Sequence, residues 1–159
     1  PMPRTRNAKD YLLVLRRLTE AGQLPHTAPN RHCVDYETLP DMEQRVQAIL
    51  DFAKQKKKST DMLFFVMYDI ESNKVRRYVV KYLERKGCMR VQKSIFLASL
   101  SMEKYQDIRN DLAEVQAAYD NQDSILIVPI TTDYLRSMKV IGQNIDIDII
   151  THTRSTLFF

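Results

Sequence analysis

Apolar positions recur along this chain with two different periods, and the change of period divides it. In residues 8–21, Tyr11, Leu15 and Leu18 repeat at helical spacing, with Leu12 and Val14 beside them, and the pattern stops near Gly22. Residues 22–37 contain Gly22, Pro25, Pro29 and Asn30 and predict a loop. Asp41, just after Pro40, is placed to cap a second helix with the apolar face Met42, Val46, Ile49, Leu50 and Ala53. Lys54 to Thr60 (KQKKKST) is polar and basic. It reads as a linker, so a helical extension is expected over residues 1–61 and a second unit over residues 62–159.

From Met62 the pattern turns to strands. Met62 to Ile70 (MLFFVMYDI) is β-rich and nearly all apolar, as expected of a central strand covered on both faces. Ser72 can cap a helix whose buried stripe is Val75, Val79, Tyr82 and Leu83 and which ends with Gly87 at the C′ position. Arg90 to Leu97 (RVQKSIFL) reads as one further strand. Ser101 can cap a long helix carrying Met102, Tyr105, Ile108, Leu112, Val115 and Tyr119. Asp123 to Ile130 predicts a third strand and Met138 to Ile141 a short fourth. A turn is expected at Gly142-Gln143-Asn144, then a fifth strand at Ile145 to Ile150.

The order points to the α+β class: a ferredoxin-like βαββαβ-type domain with an extra C-terminal strand, preceded by a two-helix extension. An extra apolar strand needs a sheet edge to cover it. A second copy of the chain would supply one, so a homodimer is expected. A lone two-helix hairpin is marginal, so the extension must dock on the domain, on a second copy or on a partner. The 62–159 unit is expected to fold without it.

Composition narrows the classes. The 159 residues suit one domain, or a small domain with an extension. The most apolar stretch is far shorter than the roughly 20 residues of a membrane span. The first helical segment is charged, so no signal peptide is expected. Two cysteines, Cys33 and Cys88, are too few for a disulfide framework, and a reduced cytoplasmic protein is expected. Only three glycines occur, none in a phosphate-cradling loop, which excludes the usual nucleotide hydrolysis. His26, His32 and Cys33 lack a fourth ligand at zinc spacing.

Charge is more telling. The net charge is only +4, yet residues 72–95 hold eight basic side chains and one acid, Glu84, whereas residues 96–159 are net negative. A local basic stripe on a nearly neutral domain suits an anionic partner on one face. Most charge runs are merely solvated helix faces. Here, however, Lys81 and Arg85 are like-charged at i,i+4, which costs stability and favours function for part of the stripe. Lys74, Arg76, Arg77, Arg90 and Lys93 are the candidate phosphate contacts, with sequence-independent binding as the expected mode. The linker lysines, Lys54 to Lys58, are placed to touch the same anionic partner. Tyr78 and Tyr82, one turn apart, are more simply packing residues than base-stacking ones, and Cys88 is most simply a small buried residue. Phe96 is expected to pack, with Ser94 on the same strand face.

Tyr68-Asp69-Ile70 at the end of the first strand, the helix start with Lys74, Arg76 and Arg77, the Leu83 and Gly87 helix end, and Arg90-Val91-Gln92-Lys93-Ser94-Ile95-Phe96 together resemble the CRISPR-associated protein two family. This family is the small partner of the CRISPR spacer-acquisition integrase. The resemblance covers residues 62–159. It implies a ferredoxin-like homodimer that sits between integrase dimers and holds double-stranded DNA before insertion. It also implies, for some members, a metal-dependent nuclease in which Asp69 is a Mg²⁺ ligand and catalytic residue, its symmetry mate giving the second carboxylate. The region after Val128 departs from the family pattern, and the last segment (HTRSTLFF) matches nothing in it.

Two roles for Asp69 stand side by side. A carboxylate at a strand end can bind Mg²⁺ through oxygen, and it can equally cap the next helix or bond loop amides. No histidine lies near it to act as a base, so a metal would have to activate water. The expected function is a non-catalytic DNA-binding scaffold, with a Mg²⁺-dependent endonuclease acting on RNA or DNA as the alternative. An RNA-binding module ranks last, for want of an exposed aromatic strand motif.

Overall fold

The computed structural model describes residues 8–20, 39–54 and 60–142. Two helices, α1 (Ala8–Glu20) and α2 (Met42–Lys54), come first. They are followed by β1 (Met62–Asp69), α3 (Asn73–Arg85), β2 (Met89–Gln92), β3 (Ile95–Leu100), α4 (Met102–Ala117), β4 (Ser124–Pro129) and the short α5 (Thr132–Arg136). The four strands form one sheet in the order β2-β3-β1-β4, every neighbouring pair antiparallel. From β1 to β4 this is the βαββαβ order of a ferredoxin-like fold.

The helix starts follow the sequence closely. Asp41 accepts from the Gln44 amide at 2.9 Å at the head of α2. Ser72 and Ser101 accept from Val75 and Lys104 at the heads of α3 and α4. The α3 helix ends in a Schellman motif: Cys88 N–H donates to Leu83 O at 2.9 Å and Gly87 N–H to Glu84 O at 3.1 Å. Gly87 has φ +93°. A Cβ there would meet only Leu100 Cδ2 at an ordinary 3.7 Å, so the backbone conformation, not space, requires glycine.

Three expectations are corrected. Arg90 to Leu97 is not one strand but a hairpin, which turns at Lys93-Ser94. The alternation hid the reversal because the turn is held by side chains instead of by glycine. The Arg90 guanidinium donates to Lys93 O from Nε (3.1 Å) and Nη2 (2.6 Å), and the Tyr68 hydroxyl donates to the same oxygen at 3.2 Å. The Tyr68 amide adds a bond to Ser94 O at 3.1 Å. Met138 to Ile141 forms no strand. The turn of helix before it, α5, was not anticipated; Thr131 caps it, and Leu135 is its buried residue. Finally, β1 is central but unequally covered: Phe64, Val66 and Tyr68 are buried, whereas Leu63, Phe65 and Met67 on the other face are half-buried. The fifth strand expected at Ile145 to Ile150, Gln143-Asn144 of the preceding turn, and the HTRSTLFF segment lie outside the described residues.

Two apolar clusters follow from the two sheet faces. Phe64, Val66, Phe96 and Ala98 pack under α3 and α4 with Val75, Val79, Tyr82, Leu83, Ile108, Leu112 and Val115, and α1 adds Leu15 and Leu18 to this same core. On the opposite face, Ile49, Phe52 and Ala53 of α2 pack on Met89, Val91 and Leu97, joined by Leu135. The Arg45 side chain ties α2 to the edge strand, donating to Val91 O at 3.1 Å and to Gln92 Oε1 at 2.6 Å. The two helices of the extension therefore dock on opposite sides of the domain.

Candidate nucleic-acid interface

The α3 helix has one apolar and one cationic face for a simple geometric reason. Val75, Val79, Tyr82 and Leu83 share the stripe that meets the sheet and α4, so Lys74, Arg77, Lys81 and Arg85, offset by three and four residues, share the opposite one. Lys74, Arg77 and Lys81 are exposed and Arg85 is half-buried. The like-charged pairs at i,i+4 work against the helix, which Ser72 at its start and the Schellman motif at its end help to hold.

The candidate phosphate contacts fall into three groups. Lys74 and Arg77 lie on the cationic face. Arg76 is half-buried and turned back to the helix start, where it donates to the Asn73 side chain. Lys93 is exposed on the β2–β3 turn, a separate place. Arg90 is 3% exposed and is engaged with the Lys93 carbonyl. Its burial removes it from the surface and makes it the lock of the hairpin. Lys81 and Arg85 were not among the candidates, although their like-charged spacing was visible in the sequence.

Glu84 is the one acid of α3, and its charge is suppressed. Desolvation pushes its pKa up from 4.5 to about 7, against the opposing pull of Arg90 and Lys81. The helix thus carries less than a full negative charge against its cations near neutral pH. Tyr82 is fully buried and donates to Asp111, as expected of a packing residue, and its ionisation is strongly suppressed by burial and by that carboxylate. Phe96 is fully buried and Ser94 half-buried. Cys88 is fully buried too, and burial pushes its thiol up to about 12, so it stays a protonated packing group.

Asp69 is exposed at the end of β1, paired in register with Ser124. It does not cap α3, because Ser72 does. Asp123, from the neighbouring strand end, accepts from the Glu71 amide at 3.1 Å and from the Tyr119 hydroxyl, so its carboxylate braces the loop. Among the described residues, no group of three or more His, Cys, Asp or Glu side chains comes together to hold a metal ion. His26, His32, Cys33 and the linker residues 55–58 lie outside the described residues. No helix among the described residues is long and apolar enough to cross a membrane.

The fold and this basic helix define a ferredoxin-like domain with one cationic helix face. Residues 62–138 match the family model described as CRISPR associated protein Cas2, which supports that family over this segment of the chain. The match supports a role in CRISPR adaptation and CRISPR-system partners, and the matched family is often metal-dependent. The match ends at Met138, short of the 62–159 span over which the motifs suggested the resemblance, and leaves residues 1–61 outside it. No curated protein matches the chain.

Proposed function

We propose that this protein is a DNA-binding scaffold of the CRISPR spacer-acquisition complex. It holds double-stranded DNA on the cationic face of α3, as a cytoplasmic homodimer bridging integrase subunits. One observation carries this reading: Lys74, Arg77 and Lys81 stand exposed along a single helix face of the family segment, with Arg85 continuing the line. Arginine forks and lysine point charges bind phosphate oxygens without reading bases, which suits a scaffold for DNA of any sequence. The homodimer is supported by the apolar residues that β4 leaves uncovered, Leu126 and Val128, beside half-buried Phe65 and Met67. A division at residue 61 into extension and domain accords with the start of the family match.

The endonuclease reading keeps one supporting observation, the exposure of Asp69 at a strand end. In the form the family resemblance implies, Asp69 of a second copy supplies the other carboxylate, and among the described residues no three His, Cys, Asp or Glu side chains come together. Duplex binding and cleavage, measured together with Mg²⁺ or a chelator, separate the two. The scaffold reading expects binding that falls steeply with salt, persists in Asp69→Ala and weakens in Lys74→Glu/Arg77→Glu. Cleavage that stops both with chelator and in Asp69→Ala would overturn it in favour of the nuclease.

A further inference from the structure

The α1 helix lies outside the family segment, yet it meets the cationic face directly. Its last turn and α3 together enclose an open groove of about 520 Å³. One wall carries Lys74, Arg77, Lys81 and Arg85, and the other is made by Leu18 and Thr19. The contact is anchored on both sides of the wall. Leu18 is buried in the main core, and Arg85 Nη1 donates to Thr19 O at 2.5 Å. That bond sets a cation against the carbonyl end of α1, where the helix dipole favours one. Thr19 bonds back to Leu15 O at 2.9 Å and is exposed at the groove. Tyr78, half-buried, adds a ring to the floor.

We propose that α1 is a working part of the anion site: the groove between α1 and α3 seats the phosphodiester backbone of one DNA strand, and the extension supplies its second wall. This rests on the scaffold reading above. Lys74 to Arg85 spans about 16 Å along the helix, the axial length of about five phosphates of one duplex strand. Four cations in a line of that length match a run of phosphates better than a single small anion. A wall of Leu18 and Thr19 carries no charge, so it excludes water from one flank of the backbone without repelling it, and it confines the strand to the cationic side. The extension thereby narrows an otherwise open helix face into a track.

The test places charge of either sign on the α1 wall in the full-length chain. Thr19→Glu and Thr19→Lys are compared with Ser137→Glu and Ser137→Lys, an exposed position just after α5, each checked for an unchanged melting temperature. Duplex DNA binding is titrated against salt. Thr19→Glu is expected to weaken binding about tenfold and Thr19→Lys to tighten it severalfold, with the salt slope changing by about one in opposite directions. The Ser137 pair is expected to change affinity less than twofold. If both Thr19 variants bind like wild type while Lys81→Glu binds weakly, DNA lies on α3 without reaching α1, and this inference fails while the scaffold reading stands. Equal weakening by both Thr19 variants would make α1 an obstacle, which also overturns it. Wild-type protein that binds no duplex in low salt would overturn the scaffold reading and the groove assignment together.

Discussion

The two faces of the sheet are covered in different ways. On one face α3 and α4 of the domain close over Phe64, Val66 and Phe96, and α1 seals the outside with Leu15 and Leu18. On the other, α2 and the short α5 cover only part of the sheet, over Met89, Val91 and Leu97. Toward β4 the described residues leave that face open: Phe65 and Met67 are half-buried and their register partners Val128 and Leu126 are exposed, Leu126 at 59%. Among the described residues, one face is a finished core, and the other is half core and half surface. The same alternating strand, β1, serves both, so apolar character alone does not say which side is closed.

This contrast can be broken by mutation, the largest effect coming from the closed face. Phe64→Ala removes a fully buried ring packed edge-on against Tyr105. It is expected to cost about 3–5 kcal/mol in urea unfolding. Leu18→Ala, at the contact between extension and core, is expected to cost about 2–3 kcal/mol, because a buried side chain is cut back at the rim of the cluster. A loss below about 0.5 kcal/mol would mean that α1 is not part of the folded unit in solution. On the α2 side, Arg45→Ala releases the edge-strand bonds to Val91 and Gln92 and is expected to cost about 1 kcal/mol.

A smaller effect depends on pH. Glu84 has its pKa raised from 4.5 to about 7 by burial. The folded state therefore prefers the protonated acid, a contribution fully present below pH 4.5 and lost as pH rises through about 7. Glu84→Gln is expected to flatten that part of the stability profile and to melt higher than wild type at pH 8. Matching profiles from pH 4 to 8 would show that the carboxyl is solvated instead. The smallest effect on the chain's own stability belongs to Leu126→Glu on the open face, within about 0.5 kcal/mol for an exposed site. Its expected readout is oligomeric state: if a second copy covers this half-face, sedimentation shows wild-type dimers and mutant monomers. Monomers in both would leave the half-face to another partner.

Much of this was legible because it depends on local chemistry. Ser72, Ser101 and Asp41 caps, the Gly87 helix stop and the apolar stripes of α3 and α4 are set by hydrogen bonding and periodicity within one turn or two. The cationic face of α3 is likewise a matter of helical spacing. The β2–β3 hairpin was not legible, because its turn carries no glycine, proline, asparagine or aspartate and is held by Arg90 and by Tyr68, more than twenty positions away. For the same reason Arg90 reads in sequence as a phosphate contact and in the fold as a buried brace.

The sequence by itself determined the α+β class, the caps that start α2, α3 and α4, the stop of α3 and the sign of the charge on α3, since each follows from neighbours along the chain. Only the tertiary structure decided where the extension docks, which arginine is buried, and that Asp69 stands without a carboxylate cluster among the described residues. Those outcomes depend on contacts between residues far apart in the chain. Desolvation and the matching of polar groups in the packed state select them, and no local pattern records them.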